Sequence, residues 1–246
     1  MTGHGEYGPG GDGWERLAPG VVRRRLPRWD ATAGAVRGPA GVLVVDTGSS
    51  LAEGARIRAE LDGLFGLPVT HVALTHGHFD HVLGTAAFGD VRVYGAAGLD
   101  EYLAGAGEEL RRDAVRFGLP TEAVEAATDV LVAPRHVVPG ELALALDDRQ
   151  VVLARLGPAH SEHDLAVLVP GTGGGPDVVF CGDLVEESGE PQAGPDARPA
   201  RWPAALDRLL ALGGEDALYV PGHGAVVGAD FVRAQRDVLA RRFASS

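Results

Sequence analysis

Directly after the apolar run 69–74 the chain places four metal-ligand side chains within six residues, His76-Gly-His78-Phe-Asp80-His81. A strand that simply ran on would send His76, His78 and Asp80 to one face and His81 to the other. The segment therefore reads as a loop at a strand end, where a glycine lets the chain turn these groups toward one point. Imidazole nitrogen and carboxylate oxygen together suit zinc, and they also suit iron or manganese. A polar loop without metal competes evenly with that reading for a lone His-X-His, but poorly for the longer pattern following a strand.

Short apolar runs alternate with amphipathic stretches along the rest of the chain. Residues 41–45 form a buried-strand pattern stopped by Asp46-Thr-Gly48. Ser49 or Ser50 can cap the helix that follows, with Glu53 at the capping-box position and Leu51, Ile57, Leu61 and Leu64 on its apolar side. With the strand at 69–74 this makes a βαβ-like signal. A strand at 91–94 precedes helical patterns over 97–128, broken by Gly105, Gly107 and Gly118-Leu-Pro120. Residues 142–146 and 151–156 read as a hairpin around Asp147-Asp148, followed by strands at 165–169 and 178–181. A Pro/Gly-rich loop spans 186–201, long enough to suggest a functional surface. A helix near 202–212, a strand at 218–220 and a helix near 230–242 complete the series. Residues 1–13 carry six glycines and read as a flexible tail, leaving 14–246 as one domain.

Composition adds exclusions. The formal charge is −12, from 22 cations and 34 acids. All the cations are arginine, so no lysine serves as Schiff base or general base. An acidic chain without a basic run is a poor partner for nucleic acid. A single cysteine, Cys181, forms no disulfide within the chain. No stretch approaches 18 consecutive apolar residues, and the first residues lack the basic start and apolar region of a secretory signal. The expectation is a cytoplasmic protein acting on a small molecule, without nucleic acid or membrane as partner; oligomeric state is not legible.

Three more ligand-type residues end apolar runs: His160 after 151–156 and Gly157-Pro-Ala159, Asp183 after 178–182, and His223 after 218–222. Singly each reads as a turn residue. Together with the first four they point to a two-metal site, because strand-end loops converge at one edge of a mixed sheet. The series His76, His78, Asp80, His81, His160, Asp183 and His223 resembles the metallo-β-lactamase superfamily of hydrolases. The likeness runs from Asp46-Thr-Gly48 to Val-Pro-Gly-His-Gly at 220–224. It implies an α+β fold, an αββα sandwich of two mixed sheets with helices outside and metals at one edge. It further implies that His76, His78 and His160 hold one metal, that Asp80, His81 and His223 hold a second, and that Asp183 bridges both. A bridging aspartate is shared with glyoxalase II-like thioesterases and quorum-signal lactonases, and is absent from the β-lactamases themselves.

Two divalent ions about 3.5–4 Å apart share a water and lower its pKa toward neutrality. The expected reaction is attack by that hydroxide on an ester, thioester, lactone or lactam carbonyl, with zinc as the first choice of metal. Asp80 is the group expected to orient the nucleophile and pass a proton to the leaving group. Asp46 reads as a support for a ligand loop or as a cap, two roles that are compatible. His163 and Glu162 are candidates to face substrate, against a solvated loop position. His4, His71 and His136 read as structural or exposed. Phe79, Tyr94, Tyr102 and Trp202 read as pocket walls or core. An alternative on the same fold is a non-haem iron oxygenase resembling persulfide dioxygenases.

Overall fold

The computed structural model describes residues 13–244. The glycine-rich tail lies outside them, except for Gly13, and so does His4. Seven strands make the first sheet: β1 (Trp14–Ala18), β2 (Val21–Arg25), β3 (Thr32–Arg37), β4 (Val42–Val45), β5 (Val69–Ala73), β6 (Arg92–Ala96) and β7 (His136–Val138), adjacent in that order. The first four are antiparallel, and β4 to β7 run parallel. The second sheet contains β8 (Glu141–Leu146), β9 (Arg149–Arg155), β10 (Leu165–Val169), β11 (Val178–Glu186) and β12 (Leu218–His223), with only β11 and β12 parallel.

Parallel neighbours need crossover connections, and these supply the helices. On the first sheet lie α1 (Leu51–Phe65), the short α2 (Phe79–Val82), α3 (Leu99–Gly105), α4 (Gly107–Arg116) and α5 (Thr121–Thr128). On the second lie α6 (Trp202–Gly213) and α7 (Ala229–Arg242). The result is an αββα sandwich in the α+β class. Three apolar layers follow from it. Leu43, Val45, Leu153, Val167 and Phe180 pack between the sheets. Ile57, Leu61, Leu74 and Leu110 pack beneath the first helical layer, and Trp202, Leu206, Val232 and Leu239 beneath the second. Covering on both faces explains why β10, Leu-Ala-Val-Leu-Val, is buried throughout.

Ser50 caps α1 by accepting from the Glu53 amide at 3.2 Å. Glu53 returns to Ser49 rather than to the cap itself, accepting from its amide at 2.8 Å and its hydroxyl at 2.9 Å. Ile57 and Leu61 point inward as expected, but Leu64 is exposed, one turn too far along for the sheet to cover it. Strands β1, β2, β3 and β7 escape the sequence pattern; in β2 and β3, Arg23, Arg24 and Arg25 or small residues occupy positions where apolar bulk signals a strand. Among the described residues no helix is long and apolar enough to cross a membrane.

Candidate metal centre

The sandwich opens along the edge where β5, β11 and β12 end their runs. Beyond β5, Thr75 to His78 form a bend and Phe79–Val82 wind into α2. This turn achieves what an extended strand could not. His76 and His78 point toward one focus, while Asp80 and His81 leave the helical turn toward a second. His160 comes from the loop between β9 and β10, and His223 is the last residue of β12.

Asp183 departs from the expectation of a strand-end loop. It lies inside β11, which continues to Glu186. The reason is Gly182, whose φ of +54° kinks the strand where its register with β12 shifts. A Cβ there would meet the Thr75 side chain at 2.7 Å. The kink swings Asp183 into the cleft while the ladder resumes beyond it. Gly222 provides the room, since a Cβ on it would stand 1.8 Å from Asp183 Oδ1.

Two clusters result, one of His76, His78, His160 and Asp183, the other of Asp80, His81 and His223. In the first, His78 Nδ1 lies 3.1 Å from His76 Nε2 and 3.0 Å from His160 Nε2. A tetrahedral ion with nitrogens at about 2.0–2.1 Å sets neighbouring ligand atoms roughly 3.3 Å apart, so the spacing fits. Asp183 Oδ2 is 3.6 Å from His76 Nε2, 3.4 Å from His160 Nε2 and 3.2 Å from His223 Nε2. Its Oδ1 is 3.3 Å from His81 Nε2. Asp80 Oδ2 lies 3.3 Å from His223 Nε2 and 3.6 Å from His81 Nε2. One carboxylate thus faces both histidine sets.

The outward nitrogen of every imidazole is held by another group. His76 Nδ1 lies 3.0 Å from the Thr75 hydroxyl, and that hydroxyl donates to Asp46 Oδ2 at 2.7 Å. His81 Nδ1 donates to Asp46 Oδ2 at 2.8 Å, while Asp46 Oδ1 accepts from the Thr75 amide at 2.8 Å. Asp46 therefore ties two candidate ligand positions together, and Ser50 caps α1. His160 Nδ1 lies 3.1 Å from the Gln192 carbonyl, His223 Nδ1 2.7 Å from the Trp29 carbonyl, and His78 Nε2 3.2 Å from Asp196. Such outer bonds fix ring orientation and leave the inner nitrogen a lone pair for metal. Asp196, Gln192 and the Trp29 carbonyl escape a sequence reading, although the Pro/Gly-rich loop that carries the first two does stand out in it.

Electrostatics favour cations here. Burial lowers His160 to about 4 and holds His76 well below the imidazole range. Burial also disfavours charge on His81 and His223, but the charges of Asp183 and Asp80 outweigh it. His81 is raised well above its usual value and His223 is pushed up to about 12. Burial works against ionised Asp183 too, and the surrounding imidazoles reverse that, keeping it well below the carboxylate range. His81 Nε2 and Asp183 Oδ1, 3.3 Å apart, are buried yet misaligned for a hydrogen bond. Two facing buried atoms able to ligate a metal, without such a partner, suit a shared cation.

Around this centre Trp202 is fully buried, its ring 5.3 Å from that of His160. Phe79 packs edge-on to Trp29 at 5.2 Å and against Phe117 at 5.7 Å. His163 is half-buried rather than freely solvated, its Nδ1 3.3 Å from the Ala97 carbonyl and its ring 5.9 Å from Tyr102. Glu162 pairs with Arg198. His71 and His136 lie at the far end of the sheets.

Residues 26–223 match the family model described as the metallo-beta-lactamase superfamily. Metallo-beta-lactamase domain-containing protein 1 of Xenopus laevis is 30% identical over 161 residues, 65% of this chain and 57% of that protein. A linear primary-alkylsulfatase of Pseudomonas sp. (strain ATCC 19151) is 33% identical over 67 residues, 24% of this chain and 13% of that protein. The matched stretches therefore span little more than half of one curated relative and a small part of the other. The crystal structure of the metallo-beta-lactamase FIM-1 from Pseudomonas aeruginosa, in its mono-zinc form, superposes with a TM-score of 0.68 at 21% identity, covering 95% of this chain and 96% of that one. TMB-1 superposes at 0.70 with 18% identity, covering 94% and 98%. Both show the same fold. With four fifths of its length under the family model, the chain belongs to the metallo-beta-lactamase superfamily.

Proposed function

We propose that the chain is a dinuclear metal hydrolase, with zinc as the natural ion, that cleaves an ester, thioester, lactone or lactam bond in a small molecule. The observation that carries this reading is the placement of Asp183 against both histidine sets, His76 and His160 on one side and His81 and His223 on the other. When bound, two such ions supply a nucleophilic hydroxide near neutral pH and stabilise charge developing on the substrate oxygen.

The chain's own groups do the remaining work. His76, His78 and His160 would hold one ion, Asp80, His81 and His223 the other, and Asp183 both. Asp80 is buried with its carboxylate against His81 and His223, whose charges keep it below its ordinary range although burial acts in the opposite sense. It therefore stays an acceptor, able to orient a water and take its proton. Phe79, next to His78 in the chain, packs with Trp29 and the exposed Phe117, and apolar surface on that flank would suit a neutral acyl or ring substituent. The net charge of −12 supports a small molecule over a nucleic acid.

The test is a zinc-loaded sample screened against thioesters, lactones, β-lactams and an alkyl sulfate, with metal content and oxygen uptake followed in parallel. Hydrolysis that scales with two bound zinc ions supports the reading. Iron with thiol-dependent oxygen consumption, and no hydrolysis, overturns it.

A further inference from the structure

The sheets part again at the end of the sandwich away from the ligands. There a cavity of about 700 Å³ opens between the starts of β5, β6 and β7 and the turn joining β8 to β9. His71 lines it, five residues before His76 and so roughly 16 Å away along an extended chain. The cavity shares no residue with the metal clusters.

Strand register brings a specific set of side chains to this opening. His71 pairs with Arg92, and Tyr94 with His136, so all four stand on the face turned toward the second sheet. Tyr94 is stacked between two imidazoles, 6.0 Å from His71 at 27° and 4.7 Å from His136 at 23°. His71 is buried, with Nδ1 2.7 Å from the Thr70 hydroxyl and Nε2 3.2 Å from Arg92 Nη1. A guanidinium only donates, so Nε2 accepts and Nδ1–H donates to Thr70. The imidazole is thereby a neutral post that orients Arg92. Arg135, the exposed residue just before β7, also lines the cavity and has neither an ion pair nor a hydrogen-bond partner among the described residues. Asp90 and Asp147 also line the cavity, yet neither forms an ion pair with either arginine. Two guanidinium groups thus line a concave space that also holds two aspartates, with neither arginine in an ion pair.

We propose that this cavity binds a small molecule through an oxyanion group, a phosphate or a carboxylate, gripped by Arg92 and Arg135. The planar fork of guanidinium donors matches the geometry of both anions. An Arg92 already oriented by His71 loses less freedom on binding than a free side chain.

Histidine-ring NMR of the zinc-loaded full chain tests this with inorganic phosphate and succinate as probes. The rings of His71 and His136 report the cavity, and those of the five clustered histidines report any anion reaching the metal edge. The expected result is a saturable shift of His71 and His136 with an apparent Kd of about 1 mM for at least one probe. R135Q, which breaks no contact of the folded chain, should weaken that binding at least tenfold, and R92Q likewise. Saturation by phosphate alone or by succinate alone names the group recognised. No shift with either probe overturns the proposal, as does a titration unchanged in both variants.

Discussion

Asp196 Oδ2 lies 3.2 Å from His78 Nε2, joining two residues 118 positions apart in the chain. The contact brings the Pro/Gly-rich loop after β11 to the back of a candidate ligand imidazole. Burial works against charge on His78, but the hydrogen bond and charge of Asp196 leave its pKa raised overall. An imidazole so supported is also a stronger ligand.

D196A should therefore lower the affinity for one of two zinc ions by about 10–100-fold while leaving the other close to wild type. Chelator competition, monitored by metal release, reads the two affinities separately. Equal affinities in variant and wild type would show that the loop contact does not tune the centre.

Asp80 predicts a different separation. D80N keeps a neutral oxygen for coordination but loses the negative charge that accepts a proton. Zinc content should fall by less than half, and kcat on whichever substrate the screen identifies should drop about 10²–10⁴-fold. Unchanged turnover would remove Asp80 from the chemistry.

The room beside Asp183 is equally testable. G222A pushes a methyl group onto Asp183 Oδ1, where it would stand at 1.8 Å. Overpacking of this kind costs about 1–3 kcal/mol, which a urea midpoint registers, and the displaced carboxylate should release at least one zinc per chain. A variant that binds two zinc ions normally would mean that β12 yields without moving Asp183.

A pH effect comes from Asp164, which accepts from the Ala159 and Ser161 amides at 2.9 Å and from the Ser161 hydroxyl at 2.7 Å. Burial lifts it to about 7 despite those bonds. A raised folded pKa means that the native state holds this proton more tightly than the unfolded chain. The associated stability is complete below the unfolded value near 3.9 and is lost as pH rises through about 7. Urea midpoints of the metal-free chain should fall between about pH 4 and 7, and D164N should flatten that slope; equal slopes would assign the effect elsewhere.

Much of this arrangement was legible from residue order because ligand chemistry is carried by residue type. Six of the seven candidate ligand residues sit at or beyond strand ends as anticipated, and the hairpin at Asp147-Asp148 and β10 coincide with their patterns. The ordering of strands into two sheets came through family resemblance, since periodicity marks strands without their partners. Asp183 reads as a strand-end residue because the apolar run stops before it, whereas in the fold Gly182 is a kink within a continuing strand. β3 carries no apolar signal because Gly34 packs against Phe180 of the second sheet, while Ala33 and Ala35 on its other face pack beneath the helical layer. Asp196, Gln192 and Trp29 were invisible as supports because their contacts span 118, 32 and 194 residues, and two of the three act through backbone carbonyls.

The ligand set also has a mechanical meaning. His76, His78, Asp80 and His81 follow a strand of the first sheet, while His160, Asp183 and His223 belong to the second. Ions held between them would rivet the two halves of the sandwich along one seam, in a chain whose lone buried cysteine can form no internal cross-link. Chelation would then do more than stop turnover. It would unfasten the seam, and limited proteolysis should find the segments around α2 and the β9–β10 loop cut first.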